Sequence, residues 1–470
     1  MAVRKDTKAD IFGLISVCFV YFAVETSFLR RTHPASSAPV STTADHTPAK
    51  PEASPAGSHH AAFFRQSGWL MIANVSSGVM MYAVHLLNKK IPPEQYAIFG
   101  VLLAVAMFVP NMPLQMVFAQ QTAQALATDR KRELAGMIRL AWLGTFGLFL
   151  LLALGIFIWQ KNILAGWQIT NPADLWITVF VVLFSLWLPM FWGVLQGQQD
   201  FFWLGWSNIL NGAGRLSIAS FLVLVLGAYA GGMMLGVLLG LAVAVGVAVW
   251  QTRSLWLLHA QPFDWRSLLK EIIPLMLGFA AVQFFFTADT MFVKALFTGE
   301  DAAFYVSAGT LSRGLLWLVV PLATVMFPKI VHSVARSEKS NLLGLVLLGT
   351  AMLAAGGAVA LMILGPWIVR LAYSSEYVSV AATVLPWYAW AMVPLSLAYA
   401  LVNNLMARSQ FRVVPVLLLL AAAYGVALSQ FHASLVMVLK TLGVFNLLLL
   451  GVCAWFTWGV GRKAKMEDRR

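Results

Sequence analysis

The stretch that decides the fold is Ile272–Val331, IIPLMLGFAAVQFFFTADTMFVKALFTGEDAAFYVSAGTLSRGLLWLVVPLATVMFPKIV. It predicts two long membrane helices joined by a short polar turn at residues 298–302, because each flank exceeds the ~20 apolar residues that a bilayer crossing needs. Three charged side chains, Asp289, Lys294 and Arg313, lie inside these apolar runs. Since hydrocarbon penalises each charge by about 2.5 to 3.5 kcal/mol, we expect these side chains to have partners or a function.

An earlier part of the chain repeats this pattern. Tyr96 and Phe118 are separated by the same number of residues as Tyr305 and Phe327, and both pairs lie in apolar segments. The repeat predicts an internal duplication into two six-helix halves. Because each half begins and ends on the same side, the repeat is parallel, with an axis along the membrane normal.

Composition places the chain among polytopic all-α membrane proteins. Hydrophobic residues make up 60% of its 470 residues and charged residues only 11%, whereas soluble domains carry about 25% charged residues. The two cysteines, Cys18 and Cys453, lie in apolar runs, which favours inert packing over a disulfide or a metal site. The net charge of +13 follows the positions expected from membrane topology, so nucleic acid is not a predicted partner.

The region after residue 60 divides into twelve apolar segments, each long enough to cross a bilayer. Basic residues concentrate at the even-numbered junctions and in the tail, which places both ends of this core in the cytoplasm by the positive-inside rule. The segments are at about 61–87, 94–119, 136–159, 174–196, 201–227, 229–251, 268–296, 302–331, 341–365, 378–406, 411–429 and 433–460. The predicted units are an N-lobe at 61–253, a cytoplasmic linker at 254–267, a C-lobe at 268–460 and a basic cytoplasmic tail at 461–470.

Residues 1–60 differ from the rest. A short apolar run at 11–24 is followed by a tract rich in Pro, Ala, Ser, Thr and His, which cannot bury enough apolar surface to fold and is expected to be disordered. Three interpretations remain open: an extra membrane span, an uncleaved signal-like segment, or a start codon assigned too far upstream.

Three motifs carry a family resemblance. They are FTADTMFVKALFTGEDAAFYVSAGTLSRGL at 286–315, VMFPKI at 325–330 and GVLQGQQDFFWLGWSNIL at 193–210. Over residues 62–460 the chain resembles the polysaccharide (O-antigen-type) flippase branch of the multidrug/oligosaccharidyl-lipid/polysaccharide (MOP) exporter superfamily.

The resemblance implies a multi-pass transporter of the bacterial inner membrane, with two lobes facing each other in a V. It implies that the protein moves an undecaprenyl-pyrophosphate-linked oligosaccharide to the outer leaflet for lipopolysaccharide or exopolysaccharide synthesis, beside a polysaccharide polymerase and export machinery. Membrane lipids are the other expected partners.

Two deep arginines are the first candidates for contact with a pyrophosphate, because a planar guanidinium binds phosphate through paired donors. Arg215 lies ~21 Å into the fifth segment and Arg313 ~17 Å into the eighth, at 1.5 Å per residue. One cation from each half at similar depth fits a central anion site. The alternative is that either arginine snorkels to the interface or neutralises a carboxylate such as Asp289.

Other polar residues have two interpretations each. Asp289 either pairs with Arg313 or binds a coupling proton or cation, and Lys294 is expected to be a snorkelling anchor near the outer interface. Arg65 and Arg139, at cytoplasmic helix ends, either follow from topology or gather anionic headgroups. Amide side chains inside spans either bridge helices or line the substrate cavity; these are Asn74, Gln115, Gln283 and Asn403.

Two other functions agree less well with the sequence. A membrane polymerase, ligase or glycosyltransferase would need a sizeable loop with paired carboxylates or metal ligands, and the sequence has no such loop, so no catalytic residue, metal or cofactor is predicted. A cation-coupled multidrug exporter of the same superfamily would favour acidic residues in the cavity, whereas the deep charges here are mostly basic.

Overall fold

The computed structural model describes residues 55–335, 342–374 and 376–459, with side chains from residue 68 onward except at 267, 320–342 and 380–382. The chain divides into two units, residues 1–59 and 60–470. In the described part of the chain, the secondary structure is helical throughout, which confirms the predicted all-α membrane fold. The interpretations of the N-terminal apolar run and of the basic tail concern residues outside the described part.

The first half contains seven helices. They are α1 (Pro55–Ala83), which continues into a 3-10 segment at Val84–Lys90, α2 (Pro93–Met107), α3 (Asn111–Ala127), α4 (Lys131–Gly166), α5 (Pro172–Gly197), α6 (Phe201–Leu224) and α7 (Tyr229–Gln251). The short helix α8 (Arg253–Trp256) lies in the predicted linker.

The described residues of the second half form six α-helices. They are α9 (Trp265–Leu296), α10 (Gly299–Ala335), α11 (Leu342–Ala372), α12 (Tyr377–Ala407), α13 (Val414–Gln430) and α14 (Leu435–Ala454). A 3-10 turn at Phe411–Val413 precedes α13, and a π turn at Trp455–Gly459 follows α14.

Within the described residues, 11 helices are long and apolar enough to cross a membrane. The second of these, Pro93–Ala127, consists of α2 and α3 together; Pro110 and Pro113 lie where the two meet and cannot donate backbone hydrogen bonds there. The remaining segment of the predicted twelve is α6, a helix of 24 residues. Polar residues in its middle, Asn208, Asn211 and Arg215 among them, lower its hydropathy below that of the other spans.

Within each half, the helices pack around central ones. In the first half α6 packs on α7, and α5 packs on both α3 and α7; in the second half α12 packs on α10, α11 and α14. Between the halves, α2 packs on α9 and α10. The approach of α2 to α10 is close, because a Cβ on Gly100 would lie 2.5 Å from Val306 Cγ1.

The repeated tyrosines lie at corresponding places in the two halves. Tyr96 on α2 and Tyr305 on α10 are both completely buried. The Tyr96 hydroxyl lies 2.9 Å from His85 Nδ1, and the Tyr305 hydroxyl donates to Asp289 Oδ2 at 2.8 Å. In both halves, therefore, the repeated tyrosine contacts a titratable side chain on the chain segment that precedes its helix.

Candidate functional site

Arg215 has no hydrogen-bond or ion-pair partner among the described side chains. The backbone of α6 at Arg215 packs against α7, where a Cβ on Gly240 would lie 2.7 Å from Arg215 N. The Arg215 Nε is inaccessible to solvent and donates to no acceptor, and the guanidinium makes no hydrogen bond or ion pair with the described residues. A buried donor group left in this state is costly, so it is suited to a ligand that supplies acceptors.

Arg313 has the opposite environment. Its Nη2 donates to both oxygens of Asp289, at 2.8 Å and 3.0 Å, and to Thr290 Oγ1 at 2.6 Å. Its Nε donates to the Phe286 carbonyl at 2.9 Å. The side chain of Arg313 is 12% exposed and that of Asp289 is 1% exposed. The structure thus contains the ion pair that the sequence left open as an alternative to pyrophosphate contact.

Two tyrosines complete the environment of Asp289. Tyr305 on α10 and Tyr388 on α12 both donate hydroxyl hydrogen bonds to Asp289 Oδ2. The carboxylate therefore accepts bonds from two helices besides its own. Groups of three or more His, Cys, Asp or Glu side chains that could hold a metal do not occur in the described part of the chain.

The end of α1 brings the surroundings of the two arginines together. The Tyr82 and His85 rings lie 5.8 Å apart, centroid to centroid. The Tyr82 hydroxyl donates to the Thr310 carbonyl of α10, the helix that carries Arg313. The helix that carries Arg215, α6, packs on the Val84–Lys90 segment that contains His85. The end of α1 and the 3-10 segment after it therefore contact both helices that carry the deep arginines.

The environment of Lys294 differs from the one that the sequence predicted. The sequence predicted a snorkelling anchor, but the residue is only 1% exposed, and its Nζ donates to Gln168 Oε1 at 3.5 Å. Gln168 belongs to the turn between α4 and α5, so this contact joins the two halves. Lys294 and Asp289 do not form a pair with each other; the ion pair of Asp289 within the described residues is with Arg313.

Three of the four amide candidates contact another helix, and Asn403 bonds within its own helix. Gln283 Nε2 donates to the Met107 carbonyl at 2.6 Å and so connects α9 to α2. Gln115 Nε2 donates to Gln196 Oε1 at 3.0 Å, and Asn74 Oδ1 accepts from Asn208. Asn403 donates to the carbonyl one turn earlier in α12, while its buried Oδ1 has no partner.

Arg139 donates hydrogen bonds to backbone carbonyls of the linker. Its Nε donates to the Trp256 carbonyl at 2.7 Å and its Nη2 to the Leu258 carbonyl at 2.7 Å. Two of its donors are therefore engaged by backbone in this conformation. Arg65 lies on α1, at a position whose side chain is outside the described set.

The sequence did not predict a set of hydrogen bonds that joins the two halves on the predicted outer side. Lys89 Nζ donates to the Leu371 carbonyl at 2.6 Å, and Asn88 Nδ2 donates to the Ala372 carbonyl at 3.0 Å. The Tyr96 and Tyr373 hydroxyls lie 3.2 Å apart, and burial raises the pKa of Tyr373 well above its usual value, which keeps this hydroxyl neutral. The spacing that Tyr96 shares with the second half was the available signal.

Two solved structures of membrane proteins have a fold similar to that of this chain. A structure described as the inward-facing conformation of a multidrug resistance MATE family transporter of the MOP superfamily matches with a TM-score of 0.64 and 12% identity, covering 83% of this chain and 96% of that one. The inward closed conformation of lipid II flippase MurJ matches with a TM-score of 0.62 and 16% identity, covering 82% and 86%. At these identities the similarity shows the fold, which is that of the MOP superfamily.

A family model decides the assignment within this fold. No curated protein matches the sequence, but residues 173–466 match the model of lipid II flippase MurJ. The MOP superfamily expected from the sequence is confirmed, while the O-antigen-type branch is not. Because the match spans more than half of the chain, the protein belongs to the lipid II flippase MurJ family.

Proposed function

We propose that this protein is a flippase that carries a polyprenyl-pyrophosphate-linked saccharide across the bacterial inner membrane, and that it is a transporter rather than an enzyme. The observation that carries the proposal is Arg215, a deep cation whose Nε is buried without a partner. A pyrophosphate supplies the acceptors that this guanidinium lacks. The family match supports a lipid-linked cargo.

The chemistry of the cargo explains why one free guanidinium matters. A pyrophosphate cannot enter hydrocarbon bare, because an isolated charge there is strongly penalised. A guanidinium offers two parallel donors to phosphate oxygens and stays charged. The same positive charge disfavours a cationic drug as cargo, which argues against the multidrug exporter alternative.

Arg313 has a second role in this proposal. Its Nε and Nη2 already donate four hydrogen bonds, so a paired contact of two guanidinium nitrogens with the pyrophosphate would have to displace some of them. We therefore assign the first contact to Arg215, and Arg313 joins only in a conformation in which its pair with Asp289 opens. The amides Asn74, Gln115 and Gln283 act first as bridges between helices.

Two saccharides are compatible with this chemistry. The sequence resemblance favours an undecaprenyl-pyrophosphate-linked oligosaccharide destined for a surface polysaccharide, and the family match favours lipid II. Both present a pyrophosphate to Arg215, so the choice between them depends on contacts with the sugars.

The experiment is a flipping assay in vesicles that contain the purified protein and a fluorescent lipid-linked saccharide, with a membrane-impermeant quencher as the readout. Lipid II and a lipid-linked oligosaccharide are assayed in parallel. Arg215→Ala should lower the flipping rate about 10- to 100-fold, because a charged hydrogen bond is worth about 1.5–3 kcal/mol. Arg215→Lys should retain part of the rate, since it keeps the charge and loses the paired donors.

The matched control is Arg132→Ala, which removes an exposed basic side chain at the start of α4. It should flip at the rate of the unmodified protein. A folded Arg215→Ala variant that flips both substrates at that same rate would remove the basis of the proposal.

A further inference from the structure

A cavity of about 400 Å³ lies in the first half, where the start of α2, the start of α5 and the turn between α6 and α7 meet. The turn depends on Gly227, whose positive φ of 64° suits a residue without a Cβ. The polar lining consists of Gln95, Thr170, Asn171, Asp174 and Tyr229. Thr170, Asn171 and Tyr229 are exposed, so the cavity is open to solvent on the predicted outer side.

The group that distinguishes this cavity is the carboxyl of Asp174. The residue is only 3% exposed, yet its carboxyl forms no hydrogen bond or ion pair with the residues that the structure describes. A buried carboxylate is retained when it is paired, protonated or bound to a cation. Among the described residues, no side chain pairs with the Asp174 carboxyl.

The local structure accounts for the position of Asp174, and the dipole of α5 favours a carboxylate in the first turn of the helix, but it provides neither a hydrogen bond nor a counter-charge. The N-cap of α5 is supplied by Asn171, whose side chain accepts from Ala173 N at 3.0 Å, so Asp174 is not needed as the cap. On the other side, Gly231 of α7 gives the carboxyl its space, because a Cβ there would clash with Asp174 Oδ1. The carboxyl thus faces the cavity between two helix ends, close to a glycine backbone.

We propose that Asp174 and this cavity form a binding site for a small monovalent cation, either a proton or an alkali metal ion, that enters from the outer side. A carboxylate is a suitable hard oxygen ligand, and the cavity has room for on the order of ten water molecules at ~30 Å³ each. An ion can therefore bind with part of its hydration shell. This site does not depend on the proposed flippase function, and its test uses no lipid-linked substrate.

The first test measures the apparent unfolding temperature of the full-length protein in detergent, in NaCl, KCl or choline chloride at constant ionic strength and at pH 5 to 8. A bound cation stabilises the folded protein by mass action. If the ligand is an alkali ion, raising its concentration from 1 to 100 mM should raise the unfolding temperature of the unmodified protein. If the ligand is a proton, lowering the pH should raise it in choline chloride, because protonation removes the buried charge.

Asp174→Asn should abolish either response, while Asp129→Asn, which changes an exposed carboxylate that is 91% accessible, should retain it. A second measurement on the unmodified protein is labelling of Asp174 by dicyclohexylcarbodiimide, read by mass spectrometry. Alkali ions or rising pH should reduce the labelling at least several-fold. The proposal would be overturned if neither the labelling of Asp174 nor the unfolding temperature of the unmodified protein responded to Na⁺, K⁺ or pH. It would also be overturned if the unfolding temperature of Asp174→Asn responded as strongly as that of the unmodified protein.

Discussion

The ion pair between Asp289 and Arg313 makes the sharpest prediction about stability. Arg313→Ala removes four hydrogen bonds and leaves a carboxylate that is 1% exposed with tyrosine donors alone. Breaking a buried pair in this way costs about 3–5 kcal/mol of unfolding free energy. Asp289→Asn should cost less, about 2–3 kcal/mol, because Arg313 keeps Phe286 O and Thr290 Oγ1 as acceptors and is the more exposed partner.

The double variant should be more stable than the sum of the two single effects predicts, by about 2 kcal/mol, because no unpaired charge is left behind. Unfolding free energies from steric trapping in bicelles would measure the cycle. Arg412→Ala is the control, since it removes an exposed arginine and should change stability by no more than about 0.5 kcal/mol. Strictly additive single effects would show that the pair does not stabilise the second half, and would refute this reasoning.

Two further predictions concern the membrane arrangement. Reporter fusions at Ser337 and Gly299 should label opposite sides of the membrane, since basic residues mark alternate junctions; labelling on one side for both would contradict the twelve-segment topology. A chain shortened to begin near Ser58 should still insert and transport, because the Pro/Ala-rich tract lacks the apolar residues for packed contacts. Failure to insert would instead identify the run at 11–24 as a thirteenth span.

The sequence predicted the fold well because bilayer crossings require long apolar runs, and these are readable from composition alone. The depth of Arg215 and Arg313 was likewise a matter of counting residues along a helix. Which partner each cation meets was not predictable, because it depends on how helices from distant parts of the chain are rotated about their axes. Lys294 is an example. Its position along α9 suggested an anchor at the membrane interface, but in the structure the side chain is buried and contacts Gln168 in the turn between α4 and α5.

The two buried tyrosines of the predicted repeat have different partners. Each half keeps a buried tyrosine at the corresponding position, but Tyr96 contacts His85 while Tyr305 contacts Asp289. The carboxylate in the second half neutralises Arg313, whereas a histidine offers no negative charge to the cation in the first half. Among the described residues, Arg215 has no hydrogen-bond or ion-pair partner, so an anionic cargo would meet this guanidinium without competition from a protein carboxylate.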